Sequence, residues 1–318
     1  MLSSVELCAG AGGQALGLEQ AGFAHDALVE IDPHCCATLR ANRPGWDVLE
    51  QDLRLFKDQA FNYRGIDLLA GGLPCPPFSV AGKQLGEKDE RNLFNDAIDI
   101  IDAARPRAVM IENVRGFLGA VFQDYRERLK EQLHQLGYVT EWRLLNASDF
   151  GVPQLRPRVV IVAMDKRYSQ AFDWPAPNPF NPKTVGEVLF DLMAAGGWRG
   201  AENWAACADD IAPTIVGGSK KHGGPDLGPS RARRAWASLG VEGRSIANEP
   251  PGPFDNSPPR LTVRMVARLQ GFPDDWVFTG AKTNAYRQVG NAFPPPVAQS
   301  VASSIRTALA SKPLTLVA

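Results

Sequence analysis

A cysteine between two prolines is the residue of this sequence best suited to nucleophilic chemistry. Cys75 lies in the segment GGLPCPPFSVAGKQ, residues 71–84, between Pro74 and Pro76. A proline has a fixed φ and no amide N–H, so this segment cannot continue a helix or a central strand. A thiol held at a strand end can act as a nucleophile, although a lone cysteine in a turn is more often structural. The choice between these interpretations depends on its neighbours.

An acid and two cations stand at the ends of other predicted strands. Glu112 and Asn113 follow the apolar run 108–111, and Arg156 and Arg158 stand at the start of a later strand. Functional groups of an open α/β sheet gather at the carboxyl ends of its strands. The pattern therefore predicts one site that combines a nucleophile, a carboxyl group and positive charge.

A glycine-rich turn near the first residues predicts a nucleotide-type site. Gly10, Gly12 and Gly13 lie between a predicted strand and a helix, and glycine lets the backbone approach a ligand closely. Glu30, twenty positions after Gly10, can accept hydrogen bonds from both ribose hydroxyls, and Asp52 can accept one from an adenine amine. The spacing alone leaves open NAD, S-adenosylmethionine, and a loop that serves packing only.

The elements that carry these residues predict a doubly wound α/β fold. Apolar strands separated by helices favour a parallel sheet covered on both faces. The predicted strands are 4–7, 27–31, 66–70, 108–111 and 158–163, and the predicted helices lie near 15–21, 35–41, 91–104, 121–136, 262–269 and 297–309. Prolines and glycines crowd the segment 168–258 and predict an irregular second domain. We therefore expect a first domain over 1–167, a second over 168–258, and a return of 259–318 to the first.

Composition excludes several classes of protein. The chain has 318 residues, of which 44% are hydrophobic and 22% charged, which is ordinary globular usage. No apolar run is long enough to span a bilayer, and the start, MLSSVELCAG, predicts a first strand and not a signal peptide. Five cysteines without a CxxC pair favour a reducing cytoplasm, and the four scattered histidines predict no metal site.

Six motifs, in this order, resemble those of DNA cytosine-5 methyltransferases of the bacterial and phage type. Outside 168–258 they extend over nearly the whole chain, and in that family this gap holds the variable target-recognition domain. The motifs are ELCAGAGG at 6–13, GGLPCPPFS at 71–79, ENV at 112–114, QLRPR at 154–158, RLTVRMVARLQGFPDDW at 260–276 and YRQVGNAFPPPVAQ at 286–299.

The resemblance implies a Rossmann-like methyltransferase sheet and a covalent reaction. Cys75 would add to C6 of cytosine, so that C5 can take the methyl group of S-adenosyl-L-methionine. Glu112, oriented by Asn113, would stabilise charge at N3. Arg158 would contact the base carbonyl O2, and Arg156 the site or the backbone. Because this chemistry cannot occur inside a stacked duplex, the base must be flipped out.

The resemblance also implies which residues hold the cofactor. Two positions depart from the usual pattern, because Cys8 stands where many relatives have an aromatic residue, and Ile31 where one often follows the ribose-binding acid. A third departure is Pro76, which replaces the glutamine often found after the catalytic cysteine. The implied cofactor residues are Ala9, Gly10, Gly12, Gly13, Glu30, Ile31, Asp52 and Asn291.

The resemblance leaves other functions to be weighed. A tRNA cytosine methyltransferase of the same fold fits the small second domain, but the Cys-Phe-Thr tripeptide associated with that branch is absent. A catalytically inactive relative is disfavoured by the intact Cys75, Glu112, Arg156 and Arg158, and a dehydrogenase by the GNAFPPP segment at 290–296. The implied partners are double-stranded DNA and a cognate restriction endonuclease. We expect a cytoplasmic, nucleoid-associated monomer.

One basic stretch is the candidate for sequence recognition. Residues 1–155 carry 15 Lys and Arg against 22 Asp and Glu, whereas 156–318 carry 19 against 13. Within the basic half, the segment 217–236 has five cations and one acid, Asp226. Such cations can contact phosphates, and an arginine can bind guanine through two hydrogen bonds, although a solvated loop has the same composition. The five cations are Lys220, Lys221, Arg231, Arg233 and Arg234.

Overall fold

The computed structural model describes residues 1–74, 93–178, 180–217 and 224–315. The chain divides into two compact units. The first consists of Met1–Leu145, Pro157–Ala176 and Ala298–Ala318, and the second of Asn146–Arg156 and Pro177–Val297. This division keeps 259–297 in the second unit, whereas we expected the return to the first at residue 259. The catalytic and recognition roles of the two parts stay predictions.

A seven-stranded sheet forms the centre of the described part of the first unit. Its strand order is β3-β2-β1-β4-β5-β7-β6. The pairs β1–β2, β1–β4, β2–β3 and β4–β5 are parallel, and β5–β7 is antiparallel, so the sheet is mixed. The strands are β1 Leu2–Leu7, β2 Phe23–Glu30, β3 Val48–Glu50, β4 Leu68–Gly72, β5 Ala108–Val114, β6 Tyr138–Asn146 and β7 Pro157–Asp165.

Burial explains why the apolar runs predict the central strands well. Val5, Leu69, Val109 and Ile161 belong to one buried cluster under this sheet, which also contains Phe94 of a covering helix. Strands covered on both faces need continuous apolar residues. The edge strand β6 alternates between buried and exposed residues and was not predicted, because its sequence YVTEWRLLN has no such run.

Helices follow the strands of the first unit, as a doubly wound fold requires. Asp32 caps one of them by accepting a hydrogen bond from the His34 amide at 2.9 Å, and Pro33 occupies its first turn. These helices are α1 Gly13–Gln20, α2 Pro33–Asn42, α3 Leu53–Phe56, α4 Phe94–Ala104 and α5 Gln123–Gln135. Apart from the short α3, they confirm the predicted helices within a few residues.

The second unit is built from helices joined by loops. Three of them lie in the described part of the stretch 168–258, which was predicted to be irregular, because short helices between prolines and glycines show little periodicity. Apolar residues of the later motif, such as Met265 and Val266, are buried within this unit. Its helices are α6 Val185–Ala194, α7 Ala201–Cys207, α8 Ser230–Ser238, α9 Val263–Leu269 and α10 Lys282–Asn291, and α11 Pro295–Ala310 leads back into the first unit. Among the described residues, no helix has the length and apolarity to cross a membrane.

Candidate functional site

The end of β4 leads the chain towards Cys75 beside the end of β5. Gly72, the last residue of β4, pairs with Glu112 in the parallel register. A Cβ placed on Gly72 would lie 3.7 Å from Glu112 Oε2 and 3.7 Å from the Cys8 carbonyl oxygen. The absence of a side chain there therefore leaves space between the glutamate and the glycine-rich loop. Cys75 itself, three residues further on, lies outside the described residues, as does Pro76.

Glu112 forms a shielded ion pair with Arg158. Arg158 Nε lies 2.7 Å from Glu112 Oε1, and the two side chains are 14% and 9% exposed. The pair exists because β7 runs antiparallel to β5, which places Arg158 opposite Val114 at the end of the sheet. If β7 ran parallel to β5, the start of β7 would lie beside the start of β5 and not beside Glu112. The sequence predicted Glu112 and Arg158 in one site, and the antiparallel direction of β7 brings them into contact.

Asn113 is fully buried next to Glu112. Its Oδ1 accepts a hydrogen bond from the Val114 amide at 2.9 Å, and its Nδ2 has no hydrogen-bond partner among the described residues. A buried amide group without a partner costs free energy unless a partner arrives. Its amide group is therefore a donor available to a neighbouring acceptor.

Arg156 belongs to the second unit and is fully buried there. Its Nη1 donates to the Ile215 carbonyl at 2.7 Å, and its Nη2 donates to the carbonyls of Gly290 and Ala292 at 2.8 and 2.9 Å. The guanidinium therefore binds backbone of its own unit. The role of Arg156 in the reaction stays a prediction.

The glycine-rich loop is tied to Glu30 by hydrogen bonds. The Gly10 amide donates to Glu30 Oε2 at 2.7 Å, and the amides of Ile31 and Asp32 donate to Oε1 at 2.8 and 2.7 Å. Gly12 caps α1 with a φ of 86°, a left-handed conformation that favours glycine. Burial raises the pKa of Glu30, and the three amide hydrogen bonds oppose this shift. Glu30 thus fixes the loop and keeps about one acceptor position free, since a carboxylate offers about four.

The residues around Glu30 fit an adenosyl group. Ile31 is 62% exposed, so its apolar side chain is available to pack on a base. Asp52 caps α3 by accepting a hydrogen bond from the Arg54 amide at 2.9 Å, and its side chain remains 31% exposed. The loop residue Ala9 is held by β2, because its amide donates to the Val29 carbonyl at 3.1 Å. A ribose acceptor, an apolar surface and a second acid therefore occur in one unit.

Two further groups lie next to this loop: Glu6, which the sequence analysis did not single out, and Cys8. Glu6 on β1 is buried, and its Oε2 has no hydrogen-bond partner among the described residues. Burial raises the pKa of Glu6 well above its usual value, with a contribution from Glu30. Cys8 has a φ of 53°, and burial raises the pKa of its thiol as well. The sequence offered one signal for Glu6, which is a lone acid within the apolar run SVEL.

The predicted late cofactor residue, Asn291, lies in the second unit at the end of α10. A Cβ placed on Gly217 would lie 2.5 Å from Asn291 Oδ1 and 2.7 Å from the Arg287 carbonyl. Gly217 is therefore packed directly on the last turn of α10. The chain at 217 is the point at which the basic recognition stretch begins.

The arginines of the recognition stretch differ in their surroundings. Arg231 and Arg234 are exposed on α8, and they are three residues apart and therefore share one helix face. Arg233 is half-buried, and a Cβ on Gly243 would lie 3.2 Å from its Cγ. An open groove of about 410 Å³ runs between α8 and the segment 240–244. Its lining is basic and includes Ser230, Arg233, Arg234, Ala237, Glu242, Gly243 and Arg244. Lys220 and Lys221 lie outside the described residues.

Comparisons with known proteins identify the family of this chain. The sequence model of the C-5 cytosine-specific DNA methylase family matches residues 2–307. The chain is 56% identical over 318 residues to the Type II methyltransferase M.NaeI of Lentzea aerocolonigenes, spanning 97% of this chain and 75% of that protein. It is 54% identical over 310 residues to the Type II methyltransferase M.NgoMIV of Neisseria gonorrhoeae, spanning 96% and 98%.

Solved structures show the same fold. A putative DNA modification methyltransferase encoded within an Escherichia coli prophage superposes with a TM-score of 0.67 at 24% identity, spanning 98% of this chain and all of that one. A Spodoptera frugiperda DNMT2 variant superposes with a TM-score of 0.65 at 19% identity, spanning 97% and 99%. The methyl donor of this fold and family is S-adenosyl-L-methionine. The chain therefore belongs to the C-5 cytosine-specific DNA methylase family, whose members methylate C5 of cytosine in DNA.

Proposed function

We propose that this chain methylates cytosine within a specific duplex DNA sequence through a covalent adduct at Cys75. The Cys75 thiolate adds to C6, which makes C5 an enamine carbon that takes the methyl group. Loss of the C5 proton then re-forms the double bond and expels the thiolate. S-adenosyl-L-methionine supplies the methyl group, and the base must leave the duplex for these steps.

The observation that carries the proposal is the shielded Glu112–Arg158 pair next to the strand that leads to Cys75. Charge develops on the pyrimidine ring when a thiolate adds to C6, so fixed polar groups around it lower the barrier. Glu112 acts at N3, Asn113 orients Glu112, and Arg158 acts at the carbonyl O2. Arg156 acts on backbone, since its guanidinium donates to the carbonyls of Ile215 and Gly290.

The cofactor is held by the glycine-rich loop in this proposal. Glu30 accepts a ribose hydroxyl at the position that its three amide hydrogen bonds leave free. Ile31 would pack on the adenine, and Asp52 would accept a hydrogen bond from its exocyclic amine. Ala9, Gly10, Gly12 and Gly13 would hold the methionine part, and Asn291 of the late motif is a further proposed cofactor residue.

The proposed partners follow from the relatives. Both named relatives are Type II methyltransferases, so we infer that this chain protects DNA against a cognate restriction endonuclease. Duplex DNA contacts the basic groove beside α8. We place the enzyme in the cytoplasm, at the nucleoid, as a monomer, because one chain carries both the reaction site and the recognition stretch.

Transfer of a labelled methyl group separates this function from the alternative. Wild-type protein and tritiated S-adenosyl-L-methionine are incubated with plasmid DNA or with tRNA. We expect label in DNA, and no label with Cys75→Ser, whereas the matched variant Cys207→Ser, changed at an exposed cysteine, keeps full activity. Label in tRNA alone would establish the tRNA alternative. Activity in Cys75→Ser would remove Cys75 from the mechanism.

A further inference from the structure

A buried polar network connects the start of the recognition stretch to the segment that leads into β7. Gln154 and Arg156 are fully buried in the second unit. Gln154 Oε1 accepts a hydrogen bond from the Ile215 amide at 3.0 Å, and Arg156 donates to the Ile215 carbonyl at 2.7 Å. The backbone amide and carbonyl of Ile215, two residues before the recognition stretch, are therefore bound by the side chains of Gln154 and Arg156.

The same side chains bind the end of α10. Arg156 Nη2 donates to the carbonyls of Gly290 and Ala292, and Gln270 Nε2 also donates to the Ala292 carbonyl at 2.6 Å. Gln154 Nε2 donates to Gln270 Oε1 at 2.6 Å, which closes the network. The last carbonyls of a helix lack partners within the helix and attract positive charge. The buried guanidinium satisfies both needs at once.

Close backbone contact adds a second constraint at the same place. A Cβ on Gly290 would lie 2.5 Å from the Cα and the amide nitrogen of Gly217. The two glycines thus let the loop and α10 approach more closely than any side chain would permit. The loop cannot slide along the helix without breaking the hydrogen bonds of Arg156.

We propose that Arg156, with Gln154 and Gln270, is a positioning residue that sets target discrimination by holding residues 215–217 on the end of α10. Arg156 does not touch the base, because its fork binds three carbonyls and is fully buried. It stands two residues before Arg158 in the sequence. This inference rests on the proposed DNA methylation.

The network predicts a loss of discrimination and not merely a loss of activity. Lysine keeps the charge but has one ammonium group, which cannot reproduce a planar fork on three carbonyls. In Arg156→Lys we expect the preference for the best sequence over its single-base variants to fall about tenfold, since one base pair contributes about 1–3 kcal/mol of discrimination.

The test is sequencing of methylated cytosines in a plasmid library treated with wild type, Arg156→Lys and Arg107→Lys. Arg107 is the matched control, because it also bridges distant segments through a backbone carbonyl, that of Leu309 at 2.7 Å, but in the first unit. Rates are normalised to active enzyme by covalent trapping. If both variants lost sequence preference equally, Arg156 would only contribute to the stability of the fold, and the proposal would be overturned.

A milder variant decides the matter if Arg156→Lys does not fold. Thr214 is half-buried and its Oγ1 donates to the carbonyl of the exposed Leu155, so Thr214→Val removes one connection of the same loop with a side chain of similar size. We expect a twofold to threefold fall in preference, within the cost of one weakened hydrogen bond. An unchanged preference in every folded variant of this set would overturn the proposal. Wild type that transfers no methyl group to DNA would instead refute the proposed function.

Discussion

Removal of Arg158 should destabilise the protein strongly, because it leaves the Glu112 charge buried without its partner. The change is Arg158→Met, which keeps the length of the side chain and removes the guanidinium. With the two side chains 14% and 9% exposed and 2.7 Å apart, the pair is shielded from water. Breaking such a pair on one side costs about 3–5 kcal/mol of the free energy of unfolding.

A double-mutant cycle isolates the charge from the lost packing. Glu112→Gln removes the acid, and in the double variant Glu112→Gln/Arg158→Met no uncompensated charge remains. We therefore expect the double variant to recover about half or more of the loss seen in Arg158→Met. Both single variants and the double variant should lose methyl transfer by about 10²-fold or more, so stability and activity separate.

Urea unfolding followed by tryptophan fluorescence measures these free energies. The control is Lys57→Met, which breaks an ion pair with Asp99 whose side chains are 38% and 57% exposed. An exposed pair contributes about 0–1 kcal/mol, so this variant should stay close to wild type. If Arg158→Met lost no more stability than Lys57→Met, or if the double variant were as unstable as Arg158→Met, the Glu112–Arg158 pair would not be the shielded interaction described above.

Three further changes test other parts of the molecule. DNA with 5-fluorocytosine at the target should form a stable adduct with wild type and none with Cys75→Ser, as seen by gel mobility, and an adduct in the serine variant would contradict the mechanism. Burial raises the pKa of Glu6 in the folded state above its ordinary value of 4.5, so the folded protein keeps a proton that the unfolded chain loses. Wild type therefore loses stability as the pH rises from 4.5 through the pKa of the folded state. Glu6→Gln should thus gain stability relative to wild type between pH 5 and pH 8, and an equal difference at both values would argue against the shift. Alanine at the exposed Arg231 or Arg234 should change the methylated sequence or weaken binding to all DNA, whereas alanine at Arg233, packed against Gly243, should also lower the melting temperature.

The sequence predicts the strands of the first unit well where burial requires apolar residues. The inner strands β1, β2, β4 and β5 each contain a buried segment, mostly apolar, that stands out in the sequence. The loop from Gly10 to Gly13 and the acid Glu30 lie close together because parallel neighbours end at one edge. Their hydrogen bond of 2.7 Å follows from a spacing that the sequence displays.

The second unit was harder to predict because its helices are short. In α8 the sequence SRARRAWAS has one buried residue, Trp236, and two half-buried residues, Ala232 and Arg233. The apolar pattern is therefore too short to reveal the helix. The polar network of Gln154, Arg156 and Gln270 involves residues up to 136 positions apart. No local pattern identifies which backbone carbonyls a buried arginine will bind.

The sequence by itself determined the class of fold, the family, the methyl donor and the residue types that the reaction needs. These depend on hydrophobic periodicity and on motifs in a fixed order, which are properties of the chain read in one dimension. The tertiary structure decided which charges meet. Arg158 reaches Glu112 because β7 runs antiparallel to β5, and Arg156, two residues earlier, is buried among carbonyls of the other unit. Strand direction and the burial of a guanidinium are set by contacts between distant segments, and short-range sequence signals do not specify such contacts.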